Sequence, residues 1–498
     1  MRRSVINTDI DTSIYIRLDL YGVTTHEGSE PSAFVSFREW VQANGGFIHP
    51  SLRFASVPSG TSVNAIDRIE QDTIVLSCPF SLAITIEKSS SALLTFLNAN
   101  SREGYAVEKL PSNWTERMLV CSYVVAHWIA QDLKTFDTTC VLRHMPYIDT
   151  LPPYTLLSTS MTWNATEMSF LQGTNLYHAT SQRIQEFESD HEQCRALFRQ
   201  VNRDLGDRFT LERYLTAAIY LSSRAFPSTL LSLSPTLSPS PESPAHPVLL
   251  PILDCLNHAR GQPVTWQVDK SGHPSIEDDL ATLLPPSIQH QNIQSAVLDS
   301  LLKISIKIGT FVQQGAEVCN NYGPKPNAEL ILGYGFALPD NPDDTIILQL
   351  GGSARKWEIG RKGCANREIA IEGLFEDALR IVTLESKGEE HGSQASELVL
   401  QEAFEAKLDA GNFLLDAVKV KLGRLPVIIA SQPNPEPTSV RGSVWEMIVY
   451  YVEGQRLCLL ELAAYFSGKI DSITTEMASL GMSIEYEEDD DADEDEDE

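Results

Sequence analysis

The sequence of 498 residues lacks several features that would each indicate a class of protein. Its eight cysteines are scattered and form no CxxC or CxC pair, which argues against a zinc site and is typical of reduced, intracellular thiols. No run approaches the roughly 18 apolar residues of a membrane-spanning helix, and the N-terminal residues contain no apolar stretch of a signal peptide. We therefore expect no metal site, no membrane contact, and a location in the cytoplasm, the nucleus or both.

Basic residues are also scarce, because 38 Lys and Arg stand against 67 Asp and Glu, for a formal net charge of −29. Twelve of the acidic residues lie between Glu485 and Glu498, which leaves about −17 on the rest of the chain. A self-repelling acidic run is typical of a disordered tail, although a tail that only aids solubility is an equally good interpretation. The acidic body argues against direct binding to nucleic acid and favours a basic protein partner.

Hydrophobic periodicity divides the chain into alternating helical and β-like regions. Residues 34–44 have helical spacing, the runs TIVLSC and LAITI predict strands, and residues 90–226 are mainly helical. The Ser/Pro-rich residues 227–247 cannot pack a core and predict a flexible loop. β-like runs return in VTWQVD, LLKISIKI and AEVCNNY, and beyond about residue 360 the apolar spacing is helical up to the tail.

Three remote stretches contain residue types that suit binding and chemistry. SGTSVNAIDRI, residues 59–69, is a small-residue turn that leads into a strand, and such turns let backbone amides approach a ligand closely. PILDCLNHA, residues 251–259, ends in an Asn-His pair that can donate and accept hydrogen bonds to a polar small molecule. An isolated pair of this kind is more often a helix cap or a satisfied core histidine.

The third stretch, NNYGPKPNAELILGYGF, covers residues 320–336 and holds Tyr322 among Asn, Gly and Pro. Those neighbours fix a backbone whose carbonyl groups have to point in set directions. Taken alone, Tyr322 suits a tyrosine with a buried ring and a hydroxyl bonded to the backbone, and GYGF suits an ordinary tight turn.

Read together, the three stretches resemble the split SET-domain methyltransferases of the Rubisco large-subunit lysine methyltransferase class, and fungal relatives that modify ribosomal proteins and translation elongation factors. The similarity covers most of residues 34–470. MPYIDTLPPY and FLQGTNL resemble the helical insert, and SRAF with LPILDCLNHA resembles the cofactor-binding segment. GAEVCNNYGPKPNAELILGYGFALPDNPDDT is similar to the catalytic segment over its whole length. Family members often have an acidic residue and a second glycine where this chain has Ser59 and Ser62.

The resemblance implies an α+β fold, in which a SET-domain β-fold of small sheets with a knot-like crossing is followed by an all-α C-terminal domain. The implied divisions are an N-terminal extension (1–30), a SET domain (31–345), a helical substrate-binding domain (346–480) and the acidic tail (483–498). A helical insert at about residues 95–225 and the Ser/Pro-rich loop, residues 227–247, interrupt the SET domain. We expect a monomer.

The resemblance further implies an S-adenosylmethionine-dependent protein-lysine N-methyltransferase whose substrate is a basic protein, such as a ribosomal protein or an elongation factor. Tyr322 would hydrogen-bond the amine where cofactor and lysine channel meet. Arg224 would pair with the cofactor's carboxylate, unless it satisfies the last carbonyls of its own helix. Phe336 would pack on adenine, unless it is a core phenylalanine. The residues implied for cofactor binding are Ser59, Gly60, Thr61, Arg224, Asp254, Asn257, His258, Tyr322 and Phe336.

Within that set the resemblance places His258 near adenine and Asn257 near the methionine end of the cofactor. Asp254 carries the weakest implication, since an acid beside Asn-His can simply cap local backbone. Two other functions fit the sequence: histidine N-methylation of a cytoskeletal protein, and a non-catalytic module that binds a basic protein. Because Ser59 and Ser62 replace an acid and a glycine, a side-chain carboxylate contact to the cofactor's amino group is lost from this stretch.

Overall fold

The structure is a computed structural model that describes residues 30–482, except 58–59, 135–140, 233–234, 238–244, 270–301, 352, 387–395, 429–432, 435 and 437. The acidic tail, Ser59, nearly all of the N-terminal extension and part of the Ser/Pro-rich loop therefore lie outside the described residues.

The strands form small antiparallel sheets, as predicted. The strands of the described residues are β1 Phe47–Ile48, β2 Leu52–Val57, β3 Gly60–Ala65, β4 Ile74–Pro79, β5 Ala225–Pro227, β6 Pro247–Leu249, β7 Val264–Asp269, β8 Lys303–Ile308, β9 Thr345–Leu348 and β10 Trp357–Gly360. A four-stranded sheet has the order β1-β4-β8-β7, and three hairpin-like pairs join β2 to β3, β5 to β6, and β9 to β10.

Helices occupy the insert and the C-terminal region. They are α1 Ser32–Ala43, α2 Ile86–Ala99, α3 Glu116–Leu133, α4 Met145–Ile148, α5 Ala165–Ser169, α6 Asn175–Val201, α7 Arg203–Arg208, α8 Leu211–Arg224, α9 Arg367–Ser386, α10 Ser396–Arg424 and α11 Gly442–Ser479. A further short helix, Asn327–Glu329, continues as a π-helical turn, Leu330–Tyr334. Among the described residues, no helix is both long and apolar enough to cross a membrane.

Most of the strands and helices predicted from periodicity are confirmed, but LAITI is not a strand. Its last residue, Ile86, begins α2, because the side chain of the preceding Thr85 accepts a hydrogen bond from the Lys88 N–H at 3.3 Å and so caps the helix. The ends of the Ser/Pro-rich loop are held together by the β5-β6 pairing, and Leu230 within it is buried.

The C-terminal region is helical, as predicted, but it is not all-α. The hairpin β9-β10 precedes the helices, and its inward residues pack in one core with α9, α10 and α11. Those inward residues alternate along each strand with the period of two that is typical of a strand. This short pattern went undetected in the sequence, because the whole region was assigned to the helices that follow. The inward residues are Ile346, Leu348, Trp357 and Ile359.

Buried polar groups join this region to the rest of the molecule. Glu167 of α5 is fully buried, and its two carboxylate oxygens accept hydrogen bonds from Arg441 Nε and Nη2, each at 2.9 Å. Asp344, also buried, accepts from the N–H of Asn327 at 2.7 Å, and it lies so close to α11 that a Cβ on Gly454 would stand 2.0 Å from its Oδ2. These five residues, the C-terminal junction, hold α5, the segment from Asn327 to Asp344 and α11 together.

Candidate active site

The three stretches singled out in the sequence meet in space. Asn64 of β3 forms an antiparallel bridge with Glu317, and His258 forms a parallel bridge with Asn320. AEVCNNY was predicted as β-like, yet it makes these isolated bridges instead of a regular strand. The reason is that its backbone bonds first to β3 and then to the Asn-His segment, so neither ladder grows. The Asn320 N–H, for instance, donates to the carbonyl of Asn257 at 2.8 Å.

Hydrogen bonds fix both the backbone and the side chain of Tyr322. Its N–H donates to His258 Nδ1 at 3.0 Å, and its hydroxyl donates to the carbonyl of Leu256 at 2.8 Å. Gly323 follows with φ +88°, a left-handed conformation that favours glycine, and its N–H donates to Asn321 Oδ1 at 2.9 Å. The Asn and Gly around the tyrosine are therefore explained by a tight turn that presents a half-buried phenol.

The chemical state of this phenol is set by its surroundings. Burial raises the pKa of Tyr322, and the Arg224 guanidinium opposes the rise without cancelling it. The side chain is therefore a neutral phenol at physiological pH. Since its hydrogen is donated to the Leu256 carbonyl, its oxygen retains lone pairs that can accept a hydrogen bond.

The tautomer of His258 follows from its partner. A backbone N–H can only donate, so Nδ1 accepts from Tyr322 and the ring hydrogen lies on Nε2. Burial lowers the pKa of His258, and the positive charges of Lys325 and Arg260 lower it further. The imidazole is thus neutral and flat against the phenol, with ring centroids 5.1 Å apart.

Two further rings join this pair and make an aromatic cluster of four. Phe336 lies 6.0 Å from the His258 ring, and Tyr334 stacks on Tyr322 at 5.2 Å. Phe336 is half-buried, so it is not the core phenylalanine of the alternative interpretation. Tyr334 was missed in the sequence, although it stands inside the quoted GYGF. Gly335 between them has φ +81°, and a Cβ there would stand 2.8 Å from the Thr159 N atom, so the turn packs tightly against the insert.

Arg224 lies at the end of α8 and is tied to a buried acid. Its Nη1 donates to the backbone carbonyl of Asp254 at 3.1 Å and to Oδ2 at 3.2 Å, and Tyr147 donates to the same Oδ2 at 2.7 Å. Arg224 therefore does not satisfy its own helix, and Asp254 is its buried counter-ion rather than a local cap. Among the described residues, Arg224 Nε and Nη2 have no hydrogen-bond partner, and the side chain is 22% exposed.

Backbone strain accompanies this buried pair. Ile252, which precedes the short turn of Leu253–Cys255, has φ +87°, a value that a β-branched residue rarely adopts. Strain of this kind persists where the surroundings enforce it, and it concentrates at functional sites. Burial raises the pKa of Asp254 while the guanidinium and Tyr147 act against it, and Oδ1 has no hydrogen-bond partner among the described residues.

A polar edge borders the aromatic cluster, and it consists of Thr61, Ser62, Asn257 and Glu317. Asn257 Nδ2 donates to the Thr61 carbonyl and to Glu317 Oε1, each at 2.8 Å. Ser62 Oγ donates to the same Glu317 oxygen at 2.9 Å. Gly60 beside this edge has φ +127°, and the space at its Cβ position is open. Sequence reasoning missed Glu317, although it lies inside the GAEV of the catalytic segment.

The predicted site residues thus fall into three groups. Gly60, Thr61, Asn257, His258, Tyr322 and Phe336 lie on the three converging segments. Arg224 and Asp254 form a more buried layer that is joined to Tyr147. Ser59 lies outside the described residues. Within those residues, no group of three or more His, Cys, Asp or Glu side chains could hold a metal ion.

No protein-family model matches the chain. The chain is 29% identical over 314 residues to the ribosomal lysine N-methyltransferase set10 of Schizosaccharomyces pombe. The aligned region covers 62% of this chain and 46% of that protein. It is 26% identical over 240 residues to the ribosomal lysine N-methyltransferase 1 of Saccharomyces cerevisiae, which covers 42% of this chain and 34% of that protein. The chain therefore spans less than half the length of each of these relatives.

Solved structures match over nearly the whole chain. The SET domain of LSMT bound to methyllysine and AdoHcy superimposes with a TM-score of 0.60 at 17% identity, over 92% of this chain and 98% of that one. The chain has the SET-domain fold. The resemblance drawn from the three stretches is confirmed, as is the predicted α+β class with small sheets and a helical C-terminal region.

In this fold the helical part of the chain between β4 and β5 supplies Arg224 and the wall against Gly335. The sheets supply the polar edge, and the crossing of the Asn-His segment with residues 316–322 supplies Tyr322 and His258. All the groups that reach the aromatic cluster therefore depend on contacts between parts of the chain that are far apart in sequence.

Proposed function

We propose that the chain is an S-adenosylmethionine-dependent protein-lysine N-methyltransferase. The observation that carries this proposal is the placement of Tyr322, whose neutral hydroxyl and ring are fixed by Leu256 and His258 at the meeting point of three segments. The names of the relatives, which are lysine methyltransferases, support it, as do the ligands named for the LSMT structures.

The residues present fit S-adenosylmethionine. The aromatic cluster offers ring faces for adenine, and Asn257 Oδ1 has no hydrogen-bond partner among the described residues. Arg224 keeps unused donors for a carboxylate, while Asp254 behind it neutralises its charge. When bound, this cofactor supplies a methyl group on a positively charged sulfur.

The chain's own contribution is alignment of the attacking amine. The Tyr322 oxygen can accept a hydrogen bond from the amine and so direct its lone pair, and positioning of this kind removes much of the entropic barrier. A lysine amine has a pKa of about 10.4 in water, and partial desolvation beside a positive charge lowers that pKa. Tyr322 itself is not the base, because its raised pKa keeps it protonated.

The proposed substrate is a basic protein, with a ribosomal protein or an elongation factor as the leading class. The net charge of about −17 outside the acidic tail attracts such proteins. We assign substrate binding to the helices beyond residue 346 and place the enzyme, as a monomer, in the cytoplasm or the nucleus.

A labelled-methyl assay on a ribosomal protein fraction tests this function. We expect the label on lysine. Tyr322→Phe should lower the rate of labelling by about a hundredfold or more, as when one positioned transition-state hydrogen bond is removed. Tyr105→Phe, between α2 and α3, is the matched control and should leave the label unchanged, as should deletion of residues 485–498.

Two measurements separate the alternatives. If calorimetric titration shows no binding of S-adenosylmethionine, the protein is a non-catalytic module. If the labelled-methyl assay places the label on histidine, the protein is the histidine enzyme. If Tyr322→Phe keeps full activity, the role given to the phenol is wrong.

A further inference from the structure

Glu317 is the member of the polar edge that the proposed reaction has not yet used. We propose that Glu317 is a positioning residue: it fixes the amide of Asn257 so that the amide oxygen, and not the NH2 group, faces the amino group of S-adenosylmethionine. This inference rests on the proposed function, and it explains how this chain recognises the amino-acid end of the cofactor.

The orientation of Asn257 follows from its two partners. The Thr61 backbone carbonyl and the Glu317 carboxylate, each 2.8 Å from Nδ2, are acceptors only. Both hydrogens of the amide nitrogen are therefore committed, and Oδ1 must point the other way. No described residue donates to Oδ1, so it is free to accept a hydrogen bond from an ammonium group.

The carboxylate is the stronger of the two anchors. A hydrogen bond to an ionised acceptor is roughly twice as strong as one between neutral groups, and Asn257 is exposed, so the Thr61 carbonyl alone would hold it weakly. Glu317 is itself held in place, because Ser62 Oγ donates to the same Oε1 at 2.9 Å and the backbone of Glu317 forms a bridge with Asn64.

The hydroxyl of Ser62 makes the anchoring of Glu317 a feature of this sequence in particular. A glycine at position 62, which is frequent in the resembling family, has no hydroxyl to donate to Glu317. The acid often found at the position of Ser59 is also missing. Glu317 brings a negative charge to the same edge from a different segment, where it favours a positively charged amino group.

Calorimetric titrations with two probes test this role. S-adenosylhomocysteine has the amino-acid end, whereas 5′-methylthioadenosine has the same adenosine and sulfur without it. Glu317→Ala should weaken S-adenosylhomocysteine binding by about tenfold, as expected for one hydrogen bond to a charged group, and should change 5′-methylthioadenosine binding by less than about twofold.

Glu317→Gln separates positioning from charge. Glutamine keeps an oxygen acceptor for Asn257, so it should recover most of the affinity that alanine loses, to within about threefold of the wild type. Ser62→Gly should give a smaller loss than Glu317→Ala. Glu70→Ala, an exposed acid paired with Arg68, is the control and should have no effect.

The outcomes are distinguishable. If Glu317→Ala binds S-adenosylhomocysteine as the wild type does, or loses both probes equally, Glu317 does not position the amide for the amino group and the inference is overturned while the proposed function stands. If the wild-type protein binds neither probe, the proposed function itself falls, and the inference falls with it.

Discussion

The polar edge and the C-terminal junction are both built from side-chain carboxylates and amides, but they use their hydrogen-bonding capacity differently. At the junction, each carboxylate oxygen of Glu167 accepts two hydrogen bonds. Oε1 accepts from the backbone N–H and from Nε of Arg441, and Oε2 accepts from Arg441 Nη2 and from the backbone N–H of Asn164. At the edge, Asn257 Oδ1 is left without a donor among the described residues. Buried polar groups that support a fold are satisfied within it, whereas groups that bind a ligand keep capacity for that ligand.

This difference predicts that changes at the two places have separate effects. Junction substitutions should lower the free energy of unfolding and leave cofactor affinity almost unchanged. Edge and cluster substitutions should alter affinity or the titration of the site and leave stability almost unchanged, because those residues, apart from the buried Ser62, are exposed or half-buried.

The largest loss of stability is expected for Arg441→Ala. Burial opposes the ionisation of Glu167, but the hydrogen bonds from Arg441 outweigh it and lower the pKa of that carboxyl. Without Arg441 the charge is buried and unpaired, which typically costs about 3–5 kcal/mol. Denaturant unfolding measures the loss, and S-adenosylhomocysteine affinity should stay within about twofold.

Arg183→Ala is the control for this change, since Arg183 and Glu186 form a surface pair with side chains about 40% exposed. Removing such a pair should cost under about 0.5 kcal/mol. A loss below about 1 kcal/mol for Arg441→Ala would show that the junction does not depend on its ion pair.

A pH dependence of a few kcal/mol is expected from Asp344. Burial raises its pKa to about 7 despite the hydrogen bonds from Asn327. The folded state therefore holds a proton that the unfolded state releases above about pH 4, so the stabilising contribution is complete below that pH and is lost as the pH rises through 7. Between pH 5 and 8, the stability of the wild type relative to Asp344→Asn should fall by about 2–3 kcal/mol.

The pH slope is the readout for Asp344, and not the stability at one pH. The amide introduced by Asp344→Asn would face the side-chain nitrogen of Asn327, which lies 3.1 Å from Oδ2 in the wild type, and that cost does not vary with pH. A difference between the two proteins that stays constant over this range would contradict the raised pKa.

The sequence predicts the local elements and the converging stretches better than it predicts their connections. Regular spacing is a property of neighbouring residues, so α11 and β8 could be found from it. The hairpin β9-β10 is only four residues in each strand and was absorbed into the helical region that follows. Short strands carry too few residues for a pattern to stand out.

The candidate site shows the same limit. Tyr322, His258 and Asn257 could be named as candidates because their motifs are continuous in sequence. Glu317 contacts Asn257 through a side chain on a segment 60 residues away, and Arg224 is tied to Asp254. Contacts of this kind depend on the tertiary fold, and no periodicity reports them.

A pair of glycines in α11 tests how tightly the junction is packed. Gly454→Ala would place a Cβ 2.0 Å from Asp344 Oδ2, so the carboxylate has to move, at a cost of about 1–3 kcal/mol. Gly468 in the same helix has open space at its Cβ, and alanine there should stabilise by up to about 1 kcal/mol. Equal effects at both positions would mean that the contact with Asp344 relaxes freely.

The smallest effect is expected at the candidate site, for a substitution of Lys325. Burial is the main reason that the pKa of His258 is low, and the charge of Lys325 lowers it further. Lys325→Met should therefore raise the pKa of His258, measured by NMR titration of the imidazole, with little change in stability. Lys307→Met, paired with Asp72 on the sheet, is the control. Protonation needs Nδ1, which the Tyr322 N–H occupies, so an unchanged pKa would mean that this hydrogen bond and burial alone keep the ring neutral.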